Sequence, residues 1–304
     1  MDGTGADPDK VGFLVAGVQK GGTTALFDYL SVHPALAMAP VKEVHFFDDE
    51  AIDWAAPDYA AYHAAFPPAD GRLRGEATPI YIYWPNALER IAAYNPAMRL
   101  ILLFRDPVER AWSQWKMERA RTETEPFSWC IRQGRARVAG AADGSGAHRV
   151  HSYVERGFYG AQVRRLLSIF PREQVLFLSS DSLRRDPERI LGNACDFLRI
   201  SPFDRVTPLE SHVGRPDSES LSMNKEDRAY LEDVFKKDQQ EFQSLTGIHP
   251  FFWTLVSLIA CAGPARYGRH AKVLSATGIG RRLLFDLPSR TMRECRAHGH
   301  RSSL

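Results

Sequence analysis

Short apolar segments that lead into helical patterns dominate the chain. Residues 11–17 (VGFLVAG), 100–104 (LILLF) and 174–179 (QVLFLS) are almost continuously apolar, which is typical of strands buried on both faces of a sheet. Helical patterns follow at residues 24–33, 107–121 and 187–198. This alternation predicts an α/β fold in which a central, mainly parallel sheet is flanked by helices in a three-layer arrangement.

The later part of the chain departs from this alternation. Residues 201–223 show little periodicity and predict a long irregular segment that is either disordered or functional. Residues 224–247 predict one long amphipathic helix that ends at Gly247. We therefore expect one main domain over residues 11–253 and a separate tail over residues 254–304.

Composition and charge distinguish the tail from the rest. The 304 residues are 44% hydrophobic and 25% charged, as in an ordinary globular protein. The net charge is only +2, yet residues 251–304 hold nine Lys and Arg against two acidic residues. This basic tail favours a solvated or partly disordered extension over attraction to an anionic membrane surface, and both interpretations stay open. Nucleic-acid binding is not expected, because aromatic residues do not alternate with the arginines.

Targeting signals and cysteine spacing give a first expectation of location. The first apolar run passes directly into a glycine loop, so we expect no secretion signal, and residues 251–263 fall short of the roughly 20 residues of a membrane span. The four cysteines lie far apart, and neither they nor the histidines show metal-ligand spacing. We expect no metal and a cytoplasmic protein, with peripheral membrane contact and the oligomeric state left open.

A glycine-rich turn joins the first predicted strand to the first helix. In Gly17–Thr24 (GVQKGGTT), backbone N–H groups and the helix dipole would converge on an anion. The spacing of Gly17 and Gly22 matches the ATP-binding loop GxxxxGK[ST], but Thr23 stands where lysine belongs, and the lysine lies earlier, at Lys20. The strand at 100–104 is followed by Arg105 rather than by a carboxylate for Mg²⁺. The loop thus predicts a P-loop-like fold that binds phosphate groups.

Four segments in this order resemble one enzyme family, the 3′-phosphoadenosine 5′-phosphosulfate (PAPS)-dependent sulfotransferases. Residues 17–34 are similar to the family's 5′-phosphosulfate loop, and residues 105–115 (RDPVERAWSQW) to its 3′-phosphate motif. Residues 42–48 (KEVHFFD) and 75–81 (GEATPIY) resemble segments of the heparan-sulfate-type and bacterial carbohydrate sulfotransferases. The resemblance covers about residues 11–253. It implies transfer of a sulfuryl group from PAPS to a hydroxyl, less readily an amine, of a carbohydrate or glycosylated acceptor.

The resemblance also implies a set of residues that bind the cofactor. Lys20 would contact the bridging oxygen of the phosphosulfate, where negative charge grows as the S–O bond breaks. Arg105 and Ser113 would hold the 3′ phosphate, since a guanidinium fork matches phosphate oxygens. The 5′ phosphate would be held by Gly21, Gly22, Thr23 and Thr24. A loop that closes over the 3′ phosphate would contribute Gly214 and Arg215. Val213 replaces the lysine that the family has in that closing loop.

Catalysis is expected from the segment KEVHFFD. By resemblance Glu43 is the general base that takes the proton of the acceptor hydroxyl. If the segment is extended, its two-residue period places His45 on the same face, where His45 and Asp48 could orient Glu43 or the acceptor. Phe46 and Phe47 are expected in the core, because large aromatic side chains are more often buried than displayed.

Two other functions remain open at this stage. A P-loop kinase that acts on a small molecule with ATP and Mg²⁺ would use the same turn, although Thr23 and Arg105 argue against it. A protein that binds a sulfated nucleotide or glycan without catalysis would keep most of the same residues. The combination of Lys20, Glu43, Arg105 and Ser113 favours the sulfotransferase.

Overall fold

Five parallel strands form the sheet at the centre of the computed structural model, which describes residues 10–207 and 222–249. Their order in the sheet is β2-β3-β1-β4-β5. Their bounds are β1 Phe13–Gly17, β2 Leu36–Met38, β3 Leu73–Ala77, β4 Arg99–Phe104 and β5 Val175–Ser179. The predicted parallel sheet is confirmed. β2 and β3 were not predicted, because β2 has only three residues and β3 carries the charged residues Arg74 and Glu76.

Eleven α-helices among the described residues surround this sheet. They are α1 Thr23–Ser31, α2 Tyr59–His63, α3 Ala87–Tyr94, α4 Pro107–Arg119, α5 Phe127–Cys130, α6 Ala136–Ala139, α7 Gly146–Val150, α8 Tyr159–Ile169, α9 Ser180–Arg185, α10 Pro187–Leu198 and α11 Lys225–Thr246. The predicted long helix is confirmed as α11, with Asn224 as its N-cap and Gly247 as its C-cap. None of these helices combines the length and the apolar character that a membrane span requires.

Helices cover both faces of the sheet, as the alternation predicted. Successive side chains of a strand point to opposite faces, so Leu14 and Ala16 of β1 lie in one core while Phe13 and Val15 lie in the other. The first core is completed by apolar side chains of α3, α8 and α11, and the second by those of α1, α9 and α10. All of β1 is buried, which explains its continuous apolar sequence.

The strand order fixes where the predicted site can form. β1 lies between β3 and β4, with Leu14 of β1 in register with Glu76 on β3 and Leu100 on β4. Because all three strands are parallel, their carboxyl ends meet at one edge of the sheet, where ligands bind in folds of this kind. The glycine turn follows β1, Thr78 follows β3 and Arg105 follows β4.

Several predicted features lie outside the described residues. Gly214 and Arg215 fall within 208–221, and the domain boundary at 253 and the tail over 254–304 fall beyond residue 249. The described ends of the irregular segment, residues 201–207 and 222–223, contain neither helix nor strand.

The cap of α10 gives a test of local stability. The Asp186 carboxylate accepts the backbone N–H of Arg189 at 3.2 Å, so Asp186→Ala should lower the free energy of unfolding by about 1 kcal/mol. Asp186→Asn keeps a capping oxygen and should stay close to the wild type. Urea unfolding followed by circular dichroism compares the two, and equal losses in both variants would contradict the capping role.

Candidate functional site

The glycine turn packs directly on the end of β4. The N–H of Gly21 donates to the carbonyl oxygen of Val18 at 2.9 Å, and a Cβ atom at Gly21 would lie 2.3 Å from the carbonyl oxygen of Leu103. A side chain at this position would therefore push the turn off the sheet. Lys20 and Gly22 have positive φ values of 66° and 91°, which shape the turn before α1 begins.

The N-terminus of α1 is open to an anion. Its N-cap is Gly22, and within the described residues no side chain caps it and no acidic residue occupies its first turn. By contrast, α4, α10 and α11 are each capped by an Asp or Asn side chain. Thr23 is buried at the start of α1, whereas Thr24 is exposed. Free N–H groups and the positive end of a helix dipole together favour a phosphate.

Positive side chains gather beside the turn. The pKa of Lys20 lies below its ordinary value, first because its ammonium is largely buried and then because Arg105 and Arg121 repel it. Glu43 acts in the opposite direction and raises the pKa of Lys20. The Lys20 Nζ atom lies 3.8 Å from the sulfur of Met117 on α4. Repulsion among cations around Lys20 is the arrangement that a bound polyanion would relieve.

Helix α4 and the residues that flank it supply the rest of this positive surface. Arg105 precedes α4 and places its guanidinium 3.6 Å from Glu109, and the half-buried Ser113 follows on the same helix. Lys116 and Arg121, which the sequence analysis did not single out, also repel Lys20. Charged residues near a helix end usually face solvent, so the sequence held no signal that these two lie near the turn.

A chain of ion pairs runs through the segment KEVHFFD. Lys42 Nζ lies 2.5 Å from Glu43 Oε1, and the second Glu43 oxygen lies 3.3 Å from His45 Nε2. His45 Nδ1 in turn lies 2.8 Å from the buried Asp48 carboxylate, which Arg149 Nη1 contacts at 2.6 Å. Opposite charges alternate along this chain, so each partner offsets the cost of burying the next.

These contacts move two pKa values strongly. Burial opposes the ionisation of Glu43, but the hydrogen bond from His45 and the ammonium of Lys42 outweigh it and lower the pKa of Glu43 to about 2. The hydrogen bond to Asp48, followed by that to Glu43, raises the pKa of His45 to about 9. At neutral pH the site therefore holds an ionised carboxylate beside a protonated imidazole.

The backbone of this segment differs from the prediction. Glu43 and His45 have φ values of 67° and 59°, so the segment is not extended, and the argument from a two-residue period was wrong. The two side chains nevertheless meet, because both residues take the same left-handed conformation. The prediction for Phe46 and Phe47 is confirmed, since both are buried in the core.

Residues 148–156 form a second segment that contacts the site. The sequence analysis missed this segment. Arg156 is buried and donates to the side chain of Gln19 in the glycine turn and to the carbonyl oxygens of His148 and Arg149 at 3.0 and 2.8 Å. Burial, and then repulsion from Arg110, lower the pKa of Arg156 to about 9. The segment thus contacts both the glycine turn and Asp48. Each of these partners lies more than a hundred residues away from it in the sequence.

Comparison with known proteins assigns the chain to a family. A family model for the sulfotransferase domain matches residues 10–242. The chain belongs to the sulfotransferase family. The resemblance to PAPS-dependent sulfotransferases is therefore confirmed, and the same match favours that family over the P-loop kinases.

Individual relatives agree with the family model. The chain is 34% identical over 191 residues to the human heparan sulfate glucosamine 3-O-sulfotransferase 3B1, a match that covers 62% of this chain and 45% of that protein. It is 26% identical to the membrane-associated sulfotransferase kil1 of Dictyostelium discoideum, with 77% and 64% covered. The crystal structure of a sulfotransferase from Alicyclobacillus acidocaldarius superimposes with a TM-score of 0.65 at 28% identity, over 78% of this chain and 96% of that one. The chain spans roughly half the length of the curated relatives it matches.

The expectation of a cytoplasmic protein is wrong. The relatives that contradict it are heparan sulfate glucosamine 3-O-sulfotransferases and a membrane-associated sulfotransferase. The spacing of the cysteines and the apolar run that passes into the glycine loop were weak grounds, because neither feature determines the compartment.

The coupling between His45 and Asp48 predicts how the site titrates. The pKa of His45 should be about 9 in the wild type and should fall toward 6.5 in Asp48→Asn, because the strongest hydrogen bond to the ring is weakened. The raised pKa means that this pairing stabilises the fold below pH 6.5 and that the contribution is lost as the pH rises through 9. NMR of the histidine rings measures the change, with the exposed Asp49→Asn as control. A wild-type value near 6.5 would refute the described contacts.

Proposed function

We propose that this protein transfers the sulfuryl group of PAPS to a hydroxyl group of a carbohydrate acceptor. The observation that carries the proposal is the meeting of two chemically different groups at one sheet edge. Lys20 and its neighbouring cations suit the cofactor, and the chain through Glu43, His45 and Asp48 suits the acceptor. The charge of Glu43 raises the pKa of Lys20, which indicates that the two groups interact electrostatically.

The residues at the turn fit PAPS. Its phosphosulfate is an anion that can lie at the uncapped N-terminus of α1, with Thr24 exposed beside it. The N–H of Gly21 already donates to the carbonyl oxygen of Val18, so it is not the group that would bind the phosphate. Gly21 contributes instead by allowing the turn to pack closely on β4. Arg105, with Ser113 on the following helix, would hold the 3′ phosphate. Gly214 and Arg215 stay predictions for the same phosphate.

In the proposed reaction, different residues of the protein act on the leaving oxygen and on the acceptor hydroxyl. When bound, PAPS supplies the electrophilic sulfur, and the acceptor oxygen forms a bond to that sulfur as the bond to the bridging phosphate oxygen breaks. Lys20 stabilises the negative charge that grows on the departing oxygen. Glu43 accepts the proton of the acceptor hydroxyl, while His45 and Asp48 hold the Glu43 carboxylate in place.

The relatives support the choice of acceptor. Several of them are named as heparan sulfate glucosamine 3-O-sulfotransferases, which indicates a saccharide hydroxyl rather than an amine. The half-buried Lys42 and the exposed Arg121 add positive charge near Glu43 and Lys20. A saccharide that carries negative charge would be attracted to such a surface.

Nucleotide binding separates the proposal from the kinase interpretation. The purified protein should bind adenosine 3′,5′-bisphosphate without added metal and should bind ATP much more weakly, because Arg105 provides for a 3′ phosphate. Removing its guanidinium in Arg105→Ala should weaken the affinity for the bisphosphate by about tenfold to a hundredfold, the loss of one charged hydrogen bond. Isothermal titration calorimetry measures both constants, with the exposed Arg184→Ala as control. Tighter binding of Mg-ATP, or an unchanged constant in Arg105→Ala, would count against the proposal.

Activity tests the roles of Lys20 and Glu43. Lys20→Ala and Glu43→Gln should each lower the rate of sulfuryl transfer by about 10²- to 10⁴-fold, since each removes one group that acts in the transition state. Transfer of ³⁵S from labelled PAPS to a panel of oligosaccharides measures the rate, and thermal melting checks the fold. The exposed Lys236→Ala and Glu188→Gln are matched controls. Wild-type rates in either site variant would exclude its assigned role.

A further inference from the structure

Five successive backbone N–H groups, those of residues 43–47, bind to one short segment, residues 76–81. The first of them, the N–H of Glu43, donates to the Ala77 carbonyl oxygen at 3.0 Å. The other partners, in chain order, are the Glu76 carboxylate for Val44, Thr78 Oγ1 for His45 at 3.4 Å, and Tyr81 Oη for Phe46 and Phe47 at 3.1 and 3.4 Å. Backbone N–H groups outside helices usually bind water or a neighbouring strand. Here four of the five bind side chains of β3 and of the turn after it.

The Glu76 carboxylate lies at the centre of these contacts. It is fully buried, and it accepts hydrogen bonds from Thr78 Oγ1 at 2.5 Å, from Tyr81 Oη at 2.9 Å and from Tyr62 Oη at 3.1 Å. Thr78 and Tyr81 each donate their hydroxyl proton to Glu76 and so turn an oxygen lone pair toward an N–H of residues 45–47. Glu76 therefore sets the direction of both hydroxyl groups.

The conformation that this network holds is an unusual one. Positive φ values at non-glycine residues are costly, and they persist only where surrounding contacts impose them. Glu43 and His45 both have such values, with Val44 between them. Alternation of this kind turns successive N–H groups to one side and forms a concave nest that binds an anion. Here the Glu76 carboxylate accepts the N–H of Val44 directly, and the hydroxyl groups of Thr78 and Tyr81, which donate to Glu76, accept the N–H groups that follow.

We infer that Glu76 is a positioning residue for the transfer reaction: through Thr78 and Tyr81 it fixes the backbone of residues 43–47 and thereby aims Glu43 and His45 at the reaction centre. The catalytic part of this inference rests on the function proposed above. A carboxylate that served only to fill the core would be a poor choice, because an apolar side chain would fill the same space without the cost of burying a charge. Its hydrogen bonds with the Val44 N–H and with the hydroxyl groups of Thr78 and Tyr81 explain why a carboxylate stands there.

Two tyrosines provide a matched pair of variants. Tyr62 and Tyr81 both donate a hydroxyl hydrogen bond to Glu76, but only the Tyr81 hydroxyl also accepts N–H groups of the segment that carries Glu43. Tyr81→Phe and Tyr62→Phe keep the packed rings and remove the same chemical group. The positioning role predicts a fall in kcat of up to about 100-fold in Tyr81→Phe, since small misplacements of reacting groups cost that much. It predicts a much smaller fall in Tyr62→Phe, with the KM for PAPS and the affinity for adenosine 3′,5′-bisphosphate unchanged in both.

Thr78 supplies a rescue experiment on the same network. Thr78→Val removes the hydroxyl at nearly constant volume, and Thr78→Ser restores it. We expect a low kcat in Thr78→Val and recovery in Thr78→Ser. Glu76→Gln, which cannot accept at its amide nitrogen, should behave like Tyr81→Phe.

Hydrogen exchange separates this inference from the proposed function. The amides of residues 43–47 should exchange faster in Tyr81→Phe and Thr78→Val than in Tyr62→Phe and Thr78→Ser, whether or not the protein transfers sulfuryl groups. A wild type without PAPS-dependent transfer would refute the proposed function and leave this readout intact. Equal exchange and equal kcat within each matched pair would overturn the positioning role.

Discussion

The polarity of the parallel sheet is the constraint on which the site depends. β1 lies between β3 and β4, so the carboxyl ends of all three strands open at the same edge. The glycine turn, the segment after Ala77 and Arg105 come from distant parts of the sequence, and no local interaction would bring them together. Once the strands pair in register, the glycine turn, the Arg105 guanidinium and the backbone support of Glu43 share one edge of the sheet. The helices on both faces then protect the pairing by burying the strands.

Charge is arranged in two ways at that edge. In the chain from Lys42 to Arg149, positive and negative groups alternate, which keeps a partly buried set of ions satisfied without a ligand. Around Lys20 the neighbours are mainly positive, and its pKa is lowered first by burial and then by their repulsion. Binding of a polyanion would reverse that shift, because an opposite charge favours the protonated amine. One half of the site is therefore complete in itself, and the other half gains most from a ligand.

Local signals in the sequence were sufficient for the regular elements and insufficient for the fine geometry. The apolar runs of β1, β4 and β5 and the caps of α4 and α11 lie within a few residues of the elements they define, so these elements were predicted closely. The motif around Glu43 was recognised, but its left-handed backbone was not, because residues 76–81 impose it from another strand. Arg149 and Arg156 were missed for the same reason, since their partners lie 101 and 137 residues away.

The proposed base, Glu43, has a pKa of about 2, and such a carboxylate can still serve sulfuryl transfer. A free sugar hydroxyl is far too weak an acid to give its proton to such a carboxylate before attack. As the new bond to sulfur forms, however, the oxygen loses electron density and becomes strongly acidic, and the proton can then pass to Glu43 late in the step. In the proposed reaction the ionised Glu43 would until that point accept a hydrogen bond from the hydroxyl and orient it, and orientation depends on position more than on basicity. Because a low pKa keeps Glu43 ionised, its proposed role depends more on the rigid support of its backbone than on the strength of the base.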